Sequence, residues 1–93
     1  MYAFILKKMQ GKIRAREYVM TLHAEEEMND DGLTIFDVEH CILTGMIVER
    51  QKDEKTAEWK YLVRGKTLVD EEVNVVAKLS HLNKLVIITM YLV

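Results

Sequence analysis

"KLVIITMYLV", residues 84–93, decides the fold. It is a near-continuous apolar run of β-branched and aromatic residues, bounded on its N-terminal side by the polar "SHLN" (80–83). Such a run reads as a central strand, buried on both faces. "SHLN" is a natural hairpin loop, which makes the preceding "VNVVAKL" (73–79) its antiparallel partner. There, Val73, Val75 and Ala77 point to one face, and Asn74 and Lys78 to the other. Further back, "EWKYLVRG" (58–65) alternates in the same way, with Trp59, Tyr61 and Val63 opposed to Lys60 and Arg64. The polar turn "KDEKT" (52–56) separates it from a first strand, "MIVERQ" (46–51).

Upstream of residue 46 the period changes from two to that of a helix. Ile5, Met9 and Ile13 recur every fourth residue with Leu6 beside them, predicting a helix through about Arg14. "EYVM" (17–20) reads as a short extended link. Thr21 is the expected N-cap of a second helix, with Ala24 and Met28 facing inward and Gly32 ending it. Thr34 opens a third, with Asp37 in a capping-box position, an apolar stripe of Val38, Cys41 and Ile42, and Gly45 as its stop. His40, Asp37 and Thr44 form that helix's polar side. The whole predicts a single α+β domain over 1–93, two or three N-terminal helices packed on a C-terminal antiparallel sheet of three to four strands.

Composition sets the outer limits. The chain has 93 residues, 49% hydrophobic and 30% charged, no proline and four glycines, a balance that argues against disorder and against linkers. Its N-terminal apolar run precedes its lysines and is too short to span a membrane. The lone Cys41 allows no internal disulfide, so the expected location is the cytoplasm. With 13 basic against 15 acidic side chains, nucleic-acid binding would require positive charge gathered locally.

"HAEEEM" (23–28) offers the clearest chemical question. On a helix His23 shares a face with Glu26 and Glu27, as in a metal clasp or an acid–base pair. The chain has neither an HExxH nor a second cysteine, and the spacing nominates two metal ligands where zinc takes three or four. No metal and no cofactor is expected. Cys41 sits on an apolar stripe, the setting of an inert thiol. Metal-free RNA cleavage asks for a proton acceptor, cations at the phosphate and a proton donor. Lys60, Arg64 and Lys78 share one parity in their strands and would gather on one sheet face or rim, with Tyr91 and Arg50 nearby. The bland alternative is that such charges are simply the wet face of a sheet.

The order "TLHAEEEM…GLTIFDVEHCILTGMIVERQKD…WKYLVRG…VVAKL…LVIITMY" resembles the small prokaryotic family known as domain of unknown function 4258, from about Thr21 onward. The resemblance implies a RelE-like fold and kinship with the RelE-like toxin ribonucleases, the MqsR and BrnT toxins among them. Such toxins are paired with an antitoxin protein, here of zinc-ribbon or helix-turn-helix type, that covers the active surface. Family members commonly read His-Ala-x-x-Arg-Met-x-x-Arg; this chain has Glu27 and Asp31 at the arginine positions, where carboxylates repel phosphate. The residues carried over are therefore His23 (acid–base, or a hydrogen bond capping the helix), Lys60 and Arg64 (phosphate), Lys78 and Tyr91, with the glutamates as the helix's solvated side. Two functions stay open: a toxin-type metal-independent endoribonuclease acting on RNA, and a non-catalytic module or degenerate toxin that only pairs with a partner protein.

Overall fold

The computed structural model describes residues 2–93. Its elements run α1 (Ala3–Ala15), β1 (Tyr18–Met20), α2 (Leu22–Asp30), α3 (Ile35–Thr44), β2 (Met46–Lys52), β3 (Trp59–Lys66), β4 (Glu72–Leu79) and β5 (Leu85–Leu92). The sheet order is β1-β5-β4-β3-β2. Helices precede the main sheet, as expected, but the sheet has five strands and is mixed. The additional strand is β1, which pairs in parallel with β5 through Tyr18–Leu85, Val19–Val86 and Met20–Ile87. Three residues are too few to show a period, and "EYVM" becomes a strand because β5 presents it with an open row of donors and acceptors.

The helix ends are set by local chemistry. The Thr21 hydroxyl accepts the Ala24 N–H and donates to the Ile88 carbonyl, so one side chain both starts α2 and fastens it to β5. Gly32 follows α2 at φ 67°, the left-handed position that glycine takes without a side-chain penalty. Thr34 and Asp37 form a reciprocal capping box at α3. Asp37 is not on a solvated edge as the helical period suggests; it is buried, and its other oxygen accepts the Leu68 N–H of the β3–β4 turn. Burial raises its carboxyl, but the hydrogen bonds from Leu68 and Thr34 outweigh that and hold it below the ordinary value.

The helices cover one face of the sheet, α3 lying on β3 and β4 and α2 along β5. Met9 and Ile13 of α1, Ala24 of α2, and Val38, Cys41 and Ile42 of α3 meet Val63, Val73, Val75, Leu85, Ile87 and Met90 in the core. Gly65 lets α3 approach β3 backbone to backbone, since a Cβ there would come within 2.4 Å of the Cys41 carbonyl oxygen. The Cys41 thiol is pushed up to about 12 by burial, which makes it a packing group rather than a nucleophile. Among the described residues no helix covers the opposite face of the sheet.

Two irregularities govern that open face. The β2–β3 register shifts between Ile47 and Glu49, and the β4–β5 register shifts between Ile87 and Thr89, opposite Ala77 and Val76. Val48 and Ile88 are the extra residues of these bulges. Strict alternation from Leu85 and Ile87 would send Thr89 and Tyr91 into the core. The bulge instead puts Met90 there and turns Thr89 and Tyr91 outward. In β2 the same device aims Glu49 and Gln51 at the open face and Arg50 at the other.

Candidate functional site on the open sheet face

Next to the two bulges, the row Glu49–Leu62–Val76–Thr89 crosses the sheet. Around it lies a depression of about 260 Å³, lined by Glu49, Gln51, Lys60, Leu62, Thr89 and Tyr91 among others. Its floor is aliphatic and its rim carries an ammonium, an amide, a carboxylate and a phenol. Each rim residue is placed by a strand, a rigid mount.

The five residues singled out in the sequence fall into three settings. Lys60 and Tyr91 are brought together at the depression. Lys60 has no carboxylate within ion-pair distance among the described residues. Its charge is felt by Asp53 in the β2–β3 turn, whose carboxyl is lowered first by the Lys55 N–H and then, among other groups, by Lys78 and Lys60. Arg64 shares the face but stands four residues along β3, about 13 Å at strand rise. Its Nε donates to Asn74 at 3.0 Å and lies 3.5 Å from Glu72. Lys78 pairs with Glu58 at 2.9 Å. The three cations that parity groups are thus not one bare patch, because two of them have anionic partners. Arg50, expected near Tyr91, is carried by the β2 bulge to the other side of the sheet, where it stacks 4.0 Å over Trp59.

His23 is exposed on α2, with Nε2 3.2 Å from Glu27. Glu27 does not belong to a solvated side. Its Oε1 accepts the Thr89 hydroxyl and the Met90 N–H, besides facing His23. It thereby closes the edge of β5 beyond the point where β1 ends. Because Thr89 also lines the depression, His23, Glu27 and Thr89 form a polar chain from the helix to the site. Glu27 and Thr89 were not readable as partners, since they are 62 positions apart and the bulge that aims Thr89 leaves no mark in the pattern. Asp31, the other departure from the arginine pattern, is the C-cap of α2 and exposed.

Among the described residues, no three His, Cys, Asp or Glu side chains converge as metal ligands. Three short helices against one face of a mixed sheet, with a polar depression on the other face, define an α+β domain. The chain belongs to the family described as Domain of unknown function (DUF4258), whose model matches residues 20–92 and so leaves α1 outside the matched stretch. No curated protein and no solved structure matches it.

Proposed function

We propose that the open sheet face works on RNA, and that the chain is a cytoplasmic, toxin-type endoribonuclease of RelE-like kind whose partner, an antitoxin protein, covers this face. The observation that carries the reading is the pair of bulges, which turn Thr89 and Tyr91 to the same depression as Lys60. Bulges recur beside active sites because they re-aim side chains at a small cost in pairing. Cleavage needs no redox partner. The ribose 2′-oxygen attacks the adjacent phosphorus, the bond from phosphorus to the 5′-oxygen breaks, and a 2′,3′-cyclic phosphate and a 5′-hydroxyl result. His23 takes the 2′-proton at Nδ1, its Nε2–H being directed at Glu27, which orients the ring. Lys60 meets the phosphate, whose charge grows in the phosphorane, and Tyr91 gives its phenolic proton to the departing oxygen. Arg64, tethered by Asn74 and Glu72, contributes at the far end of the same face.

The test is induced expression with a growth readout, followed by RNA cleavage with purified protein. Lys60→Ala is expected to slow cleavage on the order of 100-fold or more, as loss of a single charge-stabilising donor does, and to abolish growth arrest while melting like the parent. His23→Ala is expected to slow cleavage by about 100-fold or more, the size of a general-base contribution, while melting like the parent. A parent protein that is neither toxic nor nucleolytic, or a Lys60→Ala variant as toxic as the parent, would falsify the reading. A second reading has its own support: the ion pairs Arg64–Glu72 and Lys78–Glu58 and the carboxylate of Glu49 make the face nearly neutral, which suits a protein partner. On that reading the parent cuts nothing and copurifies with the product of a neighbouring gene.

A further inference from the structure

A second depression, of about 360 Å³, opens on the other side of β3 at the same end of the sheet. Its walls are Ile5 of α1, Ala57, Trp59, Tyr61 and Leu79, and its rim carries Ser80 and His81 of the β4–β5 turn and Glu58, whose carboxylate is held by Lys78 at 2.9 Å. Trp59 is 41% exposed although Arg50 stands over one face of its ring. An indole left this open forgoes much of the stabilisation that burial would give it. Lys52 lies 6.0 Å from the same ring, and Arg50 is also 6.0 Å from the ring of Tyr2. Neither Arg50 nor Lys52 has a carboxylate within ion-pair distance among the described residues. Ser80 accepts the Lys84 N–H and keeps its hydroxyl hydrogen available to donate.

Aromatic walls, hydrogen-bonding groups at the rim, and two cations that flank Trp59 outside the lining select a ligand that is flat and aromatic, with an anionic group reaching past Trp59. An apolar protein side chain would use the walls and leave the cations idle; a carboxylate would do the reverse. A nucleotide uses both, stacking its base and presenting its phosphate. We propose that this slot receives one nucleobase between Trp59 and Tyr61, with its phosphate on Arg50 and Lys52 and its base edge at Ser80 and His81. The inference rests on the RNA reading and extends it. Trp59 and Tyr61 face the slot while Lys60 between them faces the open side, so a strand of RNA turning around this end of the sheet engages consecutive residues of β3 on both faces. The slot would set base preference and the open face would do the cutting.

Trp59 is the only tryptophan, so its fluorescence reports the slot directly. The full chain is titrated separately with AMP, GMP, CMP and UMP. Saturable quenching by at least one of them is expected, with Arg50→Ala weakening binding about tenfold, the size of a single charge-assisted contact. Glu26→Ala, on the exposed side of α2, is expected to bind as the parent does. The inference is overturned if no mononucleotide quenches saturably, or if Arg50→Ala and His81→Ala both bind like the parent. It is also overturned if N-acetyltyrosinamide saturates the signal and nucleotides do not, which would give the slot to a protein side chain. If mononucleotides bind but RNA is not cut, only the cleavage reading fails. If RNA is cut while Trp59 ignores mononucleotides, only the slot fails.

Discussion

Asp37 joins two elements through one buried carboxylate. One carboxylate oxygen takes the Thr34 N–H and hydroxyl, and the other takes the Leu68 N–H. It therefore starts α3 and ties the β3–β4 turn to it. Asp37→Asn removes the charge and turns an NH2 group toward a donor, so one buried N–H loses its acceptor. The expected cost is about 1–3 kcal/mol, read as a lower denaturation midpoint in urea with an unchanged slope. The same group sets an acid limit. Its folded carboxyl sits below the ordinary 3.8, so its contribution is in place above that pH and is lost as pH falls through the lowered value. In Asp37→Asn that part of the acid dependence disappears. Glu27 makes the complementary point about reading residues. A glutamate four positions after a histidine on a polar helix has the pattern of a solvent-facing group, yet it closes the edge of β5.

At the scale of elements, the sequence was legible wherever an end had its own chemistry. Thr21, Thr34 and Gly45 mark their helices by side chain or by absence of one, and the alternation in β3 and β4 is strict enough to assign both faces. Three features carry no such mark. β1 is too short for a period, and the bulges at Val48 and Ile88 are single extra residues in runs where almost any residue fits. Their effect is large because each flips the parity of everything after it, which is why Arg50 was placed on the wrong side. The bulge also relocates the weak point of β5. Ile88 looks like the centre of the strand, but it is the bulged residue, whereas Ile87, like Leu85 and Val86, is paired on both flanks, with Met20 and Ala77. Ile87→Pro is expected to leave no cooperative thermal transition by far-ultraviolet circular dichroism. Ile88→Pro, at a bulge, is expected to keep a folded state of lower Tm, since sheets admit proline there. Equal loss in both variants would mean the bulge is placed wrongly.

For the molecule as a whole, the two groups most displaced by folding both lie at the alkaline end. Cys41 rises from 9.0 to about 12 through burial. Tyr18, which donates to Glu39 across the β1–α3 contact, rises from 10.0 to about 12 through burial and then through that carboxylate. In both cases the folded state holds its proton longer than the unfolded one. Their contribution is therefore complete below about pH 9 and declines from there to about pH 12. Tm is expected to fall steadily over that interval, with Cys41→Ala shallower in its slope than the parent. Among the described residues no helix is long and apolar enough to cross a membrane. Net charge, at −2, does not locate a site, because the distribution matters more than the sum: Arg50, Lys52 and Lys60 at the β2–β3 end have no carboxylate within ion-pair distance among the described residues, while Arg64 and Lys78 do.

The parallel seam between β1 and β5 also fixes an order of events during synthesis. Thr21 fastens to Ile88, 67 positions later, and Glu27 to Met90, 63 positions later. A ribosome making this chain thus releases α1, β1 and α2 long before the strand that holds them together exists. Closing so long a loop comes late and slows folding. Until β5 emerges, α2 has no edge to seal and Thr89 and Tyr91 have no depression to line. The nascent chain therefore carries α1, β1 and α2 without the strand that fastens them until β5 has been made, and over that interval they are open to proteases and chaperones.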